Sequence, residues 1–355
     1  TGDVALPLNL VSLPGRGGLD VSVAISYNSN VQHIVNNWNL ESPTGILGLG
    51  WTMDVPKIIV DHKGTGARED DTFYLIQGEG SNRLVRTTAG SDTGGSFKSY
   101  ETKQYQFWKI KYYDVSQRWE IINEMGIKYV YGDKNSTRNT VQYAVSWDNW
   151  IGNSSQISGQ SQIAIVWNLS EIINTWNDKI IFEYDNVEQF VGSSLGQKHT
   201  EASYLKQITD VLGRKVQFFY TPKDPSFYSE PHTEKPNEPD AYQEVYEKKF
   251  LDSINVLSEN GSKFISIDFN YSSLNAGLNT AKMLLTSIVQ KNSSGVALPG
   301  IQFEYNISGS TQGFLKKITY PLGGSVSYTY SARSVTHSNR QLTITAPAGY
   351  AEPKT

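Results

Sequence analysis

Among its 355 residues the chain has no cysteine, which excludes a disulfide framework and every thiolate metal site. It contains no apolar run of about 18 residues, and no secretory leader or lipidation motif is visible in it. Charge of one sign is also lacking: 31 Lys and Arg against 35 Asp and Glu leave a net charge of −4, without the basic excess that nucleic-acid binding requires. Histidine is sparse. His33, His62, His199, His232 and His337 fall into no metal-ligand spacing and read as surface residues. Asp70 and Asp71 with Glu69 lack the glycine-turned Asp-x-Asp loop of a calcium site. Gly15–Gly18 is followed by neither Lys-Ser/Thr nor a helical pattern, so it reads as a turn and not a phosphate cradle. With no nucleophile elbow either, the sequence supplies no catalytic constellation, no cofactor site and no metal site.

Aromatic residues are abundant, at 12% with 21 Tyr and 8 Trp, and they are ordered. The stretch Tyr204–Tyr220 opens with Leu205 and Ile208, turns at Gly213, and closes with Val216, Phe218 and Tyr220 at the strand period of two. The plan returns at Leu169/Ile172 with Ile180, Phe182, Tyr184; at Leu251/Ile254 with Ile267, Phe269, Tyr271; at Leu285/Ile288 with Ile301, Phe303, Tyr305; and at Leu315/Ile318 with Val326, Tyr328, Tyr330. A weaker sixth copy keeps only the closing strand, Ile127, Tyr129, Tyr131. The two copies that begin at Leu251 and Leu285 are longer than the other three, and the extra residues are assigned to the connecting turn, where length changes cost little. Units of this size bury their apolar faces by stacking on neighbours. Their uneven spacing favours an open, coiling sheet over a closed propeller. The fold class is therefore all-β, with successive antiparallel hairpins forming a large curved sheet.

The order along the chain is an N-terminal β region at 1–132, a polar insertion at 133–162, hairpin repeats at 163–335 with a Pro- and acid-rich loop at 222–243, and a tail at 336–355. The N-terminal region begins as a hairpin, Val4 to Leu10 and Leu19 to Tyr27 about Pro14–Gly18, and continues through Gly45–Met53 into the apolar run Val55–Val60. Trp147 and Trp150 lie in the polar insertion, where an aromatic ring could stack on a ligand. Trp176, inside a repeat, reads as packing.

The segments LPLNLVSLPGRGGLDVSVAISYNSN and GLGWTMDVPKI resemble the N-terminal region shared by SpvB-type virulence proteins, the B components of Tc insecticidal toxin complexes and Rhs/YD-repeat proteins. Pro14–Gly17, Ser26–Ser29 and Gly48–Trp51 carry the likeness in order, and WNLSEIINTWNDKIIFEY at Trp167–Tyr184 matches the family's hairpin units. Two features depart from it. Val31–Thr44 replaces a short Gly-Asn-Gly link, and strict Tyr-Asp pairs occur only at Tyr113–Asp114 and Tyr184–Asp185. The resemblance implies a hollow, spiralling β-sheet shell that encloses a C-terminal toxin polypeptide, with any enzymatic activity in that cargo. On this expectation the chain is a non-catalytic wall fragment of a longer, secreted bacterial protein. Its partners would be the rest of its own chain, an enclosed toxin polypeptide and other toxin-complex subunits, without nucleic acid or direct membrane insertion. The alternatives are a secreted carbohydrate-binding or carbohydrate-cleaving β protein, using Trp147 and Trp150, and an adhesin-like scaffold for protein partners.

Overall fold

In a computed structural model, the protein is described at residues 4–31, 35, 45–63, 70–78, 80–147, 160–190, 197–227, 247–274 and 281–330. These residues hold strands β1 to β21 and a short 3-10 turn at Pro225–Phe227, so the all-β class read from the sequence is the class observed.

Three sheet regions result. Strands β1 (Ala5–Leu13), β2 (Val21–Asn28) and β3 (Trp51–Met53) form a small antiparallel sheet. Its first strand does not keep one face throughout. A bulge between Asn9 and Val11 turns the chain over, so Leu6, Leu8 and Leu10 are half-buried while Val11 and Leu13 are buried.

The second region is β4 (Lys57–Asp61), β5 (Thr72–Gln77), β6 (Gly80–Asp92), β7 (Gly95–Thr102), β8 (Lys109–Tyr113), β9 (Arg118–Ile122) and β10 (Lys128–Gly132), each paired with the next. Strand β12 (Gln160–Ile173) then pairs with both β10 and β4. The ring closes as an eight-stranded barrel. The expectation of one open sheet is corrected here, because closure depends on β12 reaching β4 across more than a hundred residues, a non-local pairing that local periodicity does not encode. The barrel is filled by aromatics. Trp119 has ring centroids at 4.6 Å from Tyr112, 4.8 Å from Tyr100, 5.0 Å from Phe73 and 5.9 Å from Trp167.

The third region continues from β12 through β13 (Lys179–Phe190), β14 (Lys198–Thr209), β15 (Lys215–Pro222), β16 (Lys249–Leu257), β17 (Lys263–Leu274), β18 (Lys282–Asn292), β19 (Ile301–Tyr305), β20 (Leu315–Thr319) and β21 (Ser325–Ser327), every pair antiparallel. This is the repeat sheet. Strand β12 joins it to the barrel: its final residues Glu171–Ile173 carry β10 and β13 together, while Val166 and Trp167 carry β4 and β11 (Val141–Trp147).

Strand β11 stands inside the stretch read from the sequence as a polar loop. The alternation Val141, Tyr143, Val145 makes it a strand, with Val141 and Val145 buried.

Candidate functional site: a clamped wall of hairpins

Each repeat is closed by the same hydrogen bond. The phenol of the final Tyr donates to the backbone carbonyl of the first Leu of its own unit: Tyr184 to Leu169 at 2.8 Å, Tyr220 to Leu205 at 2.8 Å, Tyr271 to Leu251 at 2.6 Å, Tyr305 to Leu285 at 2.7 Å and Tyr330 to Leu315 at 2.8 Å. Burial raises the pKa of all five phenols, to about 12 for Tyr330 and further for the others. They remain protonated donors throughout the neutral range, as a bond to a carbonyl requires.

A fixed register between units accompanies the clamp. The Tyr of one unit lies opposite the Leu of the next, and the aromatic two residues earlier lies opposite the next Ile: Tyr184 with Leu205 and Phe182 with Ile208, Tyr220 with Leu251 and Phe218 with Ile254, Tyr271 with Leu285 and Phe269 with Ile288, Tyr305 with Leu315 and Phe303 with Ile318. Each of these junctions has a bulge immediately before the Tyr, which re-aims the strand and increases its twist. The partial sixth copy obeys the same rule: Tyr129 faces Ile172 and Tyr131 faces Leu169, again with a bulge before the Tyr. Its hydroxyl is held differently, accepting from Gln77 Nε2 at 3.3 Å.

The hairpin tips repeat as well. At 174–178, 210–214, 258–262, 292–296 and 320–324 the first residue's N–H donates to the fifth residue's carbonyl, and the fourth residue's N–H donates to the first carbonyl. The fourth position has positive φ and is Asn177, Gly213, Gly261, Gly295 or Gly323. This tip is the same in short and long units, which corrects the assignment of the extra residues to the turn. In the long units they lengthen the arms instead: Ile254 pairs with Ile267 and Ile288 with Ile301, while Ile172 pairs with Ile180 and Ile208 with Val216. In the unit at Leu251 the added arm is paired ladder, Asn255, Val256 and Leu257 with Ser266, Ile265 and Lys263, while in the unit at Leu285 it carries the single bridge Lys291–Ala297.

One face of the repeat sheet carries Phe182, Phe218, Phe269 and Phe303, all buried, with Tyr328 half-buried in the same core. That face is covered by the chain's own N-terminal sheet. Trp51 packs on Phe303 at 4.8 Å and its Nε1 donates to Tyr305 Oη at 2.8 Å, while Tyr27 Oη accepts from the Leu315 N–H at 3.0 Å. Leu49 N–H donates to the Met283 carbonyl and Leu251 N–H to the Ile46 carbonyl, each at 2.8 Å. A gap of about 220 Å³ lies where Val21, Val23 and Met53 face Leu169, Phe182 and Leu205.

The two glycine motifs of the N-terminal region sit where this sheet grips the repeats. Arg16 bonds to Asp178 Oδ1 at 2.7 Å, the Gly17 carbonyl accepts from Asn174 Nδ2 at 3.4 Å, and the Pro14 carbonyl accepts from Arg214 at 2.5 Å. The Pro14–Gly18 turn thus binds two consecutive hairpin tips. A Cβ at Gly17, which has φ +63, would lie 2.3 Å from Asn174 Nδ2. At the other motif, a Cβ at Gly48 would lie 2.6 Å from the Met283 carbonyl oxygen, so only glycine lets these backbones meet. Neither Arg16, Asn174, Asp178 nor Arg214 carries a signal of its own in the sequence; Asn174 and Asp210 standing at the same place in two copies is the sign that would have found the tips.

Of the other residues singled out, Trp150 lies outside the described residues, as do His33, His232 and His337; Trp147 ends β11. His199 is not a surface residue, at 3% exposed, whereas His62 is half-buried and meets Asp71 at 2.7 Å. Trp176 is 74% exposed at a hairpin tip and does not pack in the sheet. No metal-holding cluster occurs among the described residues.

These features define a class: an antiparallel hairpin-repeat sheet with a Tyr-to-Leu clamp in each unit and a constant register between units, sealed by an N-terminal sheet and fused through one strand to a barrel. The crystal structure of TcdB2-TccC3-TEV has this fold, superposing with a TM-score of 0.56 at 17% identity over 86% of this chain and 16% of that one. The N-terminal domain of effector protein SpvB from Salmonella typhimurium strain LT2 is matched over 80% of this chain and 99% of that one, at 13% identity and a TM-score of 0.49. Salivary gland surface protein 1 from Aedes aegypti is 25% identical over 186 residues, which are 52% of this chain and 5% of that protein. The chain spans only a small part of the toxin chain and of the salivary protein. No protein-family model matches it.

Proposed function

We propose that the chain is a non-catalytic wall segment of a Tc-type or Rhs/YD-repeat shell, secreted by its cell, and that the shell encloses a toxin polypeptide encoded further along the same protein. The observation that carries this reading is the clamp with its register. Because every Tyr strand ends in the same pairing with the next Leu/Ile strand, the sheet grows unit by unit without a new solution at each step, and each bulge adds twist that curls it. A sheet of this kind can surround a volume no single core fills. The fold shared with TcdB2-TccC3 supports the same reading.

The test is performed on the longer protein. Electron microscopy with limited proteolysis is expected to show a hollow particle whose internal polypeptide survives protease until the shell is opened. A solid rod, or a cargo cleaved as fast as an isolated domain, would refute the proposal. Saturable binding in a glycan array, lost on Trp147→Ala or Trp150→Ala, would instead support the carbohydrate reading.

A further inference from the structure

Three neighbouring hairpin tips present the same apolar position to solvent. The partial sixth copy begins at the tip 123–127, where the Asn123 N–H donates to the Ile127 carbonyl and the Gly126 N–H to the Asn123 carbonyl, each at 3.0 Å. This is the tip of the five full repeats. Here and in the next two tips the first side chain also accepts from the third and fifth N–H groups: Asn123 from Met125 and Ile127, Asn174 from Trp176 and Asp178, Asp210 from Leu212 and Arg214. The third residue is therefore Met125, Trp176 or Leu212, whereas at 258–262 and 292–296 it is Asn260 or Ser294. The apolar row continues onto the barrel. The loop before β8 meets the tip at 123–127, with Trp108 Nε1 donating to Glu124 Oε2 at 2.8 Å, and it carries Tyr105 and Phe107, whose ring centroids are 5.2 Å apart. On the other side a Cβ at Gly126 would lie 2.9 Å from Thr175 Cγ2, and the Pro14–Gly18 turn holds the tips at 174–178 and 210–214 together. Tyr105, Phe107, Met125, Trp176 and Leu212 thus line one edge, each between 42% and 79% exposed, on hairpins two strand spacings or about 10 Å apart. An exposed apolar array of this kind marks an interaction surface.

We infer that this edge docks on the headgroup layer of an anionic lipid bilayer. Single side chains on narrow tips form no flat or concave face for a folded partner to cover, whereas a lipid layer moulds itself round each one. Tyr, Trp and Phe beside Leu and Met is the composition that settles at a membrane–water boundary. The backbone suits it as well, because the N–H groups around each tip residue already have acceptors and add little desolvation cost. Charge selects the lipid. Lys103 and Lys109, exposed on either side of Tyr105 and Phe107, pair with no acid among the described residues, while Asp178 and Asp210 in the tips are matched by Arg16 and Arg214. Uncommitted lysines at this level favour anionic headgroups. The contact is made by side chains alone, and no strand crosses the bilayer.

The test is co-sedimentation of the whole chain with phosphatidylcholine vesicles containing a quarter phosphatidylserine. The parent is expected to bind them saturably, and to bind phosphatidylcholine alone at least fivefold more weakly. Phe107→Ser/Trp176→Ser should weaken binding at least tenfold, and Lys103→Gln/Lys109→Gln should remove the preference for phosphatidylserine. Ile307→Ser, at an exposed apolar position on the opposite end of the strands, should bind as the parent does. All these positions are exposed, so the melting temperatures should stay near that of the parent. Absence of vesicle binding, or equal binding by Phe107→Ser/Trp176→Ser and the parent, overturns the inference. So does dimerisation without lipid that Phe107→Ser/Trp176→Ser alone abolishes, which would assign the edge to a second copy of the chain.

Discussion

The barrel and the repeat sheet solve the same problem, burying one apolar sheet face, in different ways. The barrel closes on itself and fills its interior with a single cluster of large rings, so each strand depends on all the others through Trp119 and its neighbours. The repeat sheet stays open. It uses small, identical contacts between adjacent units and relies on a second sheet, β1–β3, to cover it. The first arrangement should be cooperative and intolerant, the second local and extensible.

The sharpest way to break this comparison is to cut one ring from each region. Trp119→Ala should cost roughly 3–5 kcal/mol and remove protection from the whole barrel, because the cavity opens at the centre of one core. Phe218→Ala, from the four buried repeat phenylalanines, should cost a similar roughly 3–5 kcal/mol, but with the damage confined to its own and adjoining units. Global denaturation with segment-resolved hydrogen exchange measures both. Loss of protection over the same span of chain in the two variants would erase the distinction.

Gly48→Ala sharpens the comparison at the seam between the sheets. The added Cβ would meet the Met283 carbonyl at 2.6 Å with φ at +83, and a cost above about 1 kcal/mol is expected from the backbone alone. The loss should appear as earlier melting of the N-terminal sheet and the repeat sheet together, with the barrel least affected. Arg16→Ala at the opposite motif removes an ion pair whose arginine is 65% exposed, so its effect should stay under about 1 kcal/mol.

Acid titration probes the strand that the two regions share. At the junction strand, burial pushes the Glu171 carboxyl up, but Arg138 at 2.5 Å and Lys179 at 3.2 Å outweigh it and the pKa is lowered from 4.5. A lowered carboxyl stabilises the folded state above its unfolded value and loses that contribution as pH falls through the lowered one. Stability of the β10–β12–β13 junction should therefore decline below about pH 4.5 in the parent and show a shallower decline in Glu171→Gln. An identical acid limb in both would remove Glu171 from the account.

The repeat sheet was legible from sequence because its rule is local and written several times. Leu and Ile three apart, then an alternating triplet ending in Tyr, gave every unit and each inter-unit partner a recognisable position. The clamp itself was implicit in the constancy of the Leu-to-Tyr spacing in the short units, but a hydroxyl's target is not a pattern in sequence. The barrel was not legible as a barrel. Apart from β10 and β12, which carry repeat positions, its strands share no repeated spacing, β7 (Gly95–Thr102) is largely polar, and closure rests on Val166–Asn168 meeting Lys57–Ile59. The N-terminal motifs were recognised, yet what they grip lies far along the chain, as with Gly17 and Asn174 or Gly48 and Met283.

The central claim, that the Tyr-to-Leu bond is the unit of construction of the repeat sheet, is tested most directly by hydrogen exchange on Tyr220→Phe. The substitution keeps the ring and leaves the Leu205 carbonyl without its donor, at a cost of about 1–3 kcal/mol. Protection should fall in β14 to β16 around Leu205, Tyr220 and Leu251, and stay at the parent level in β5 to β9 of the barrel. Unchanged exchange in β14 to β16, or a uniform fall that includes the barrel, would contradict it.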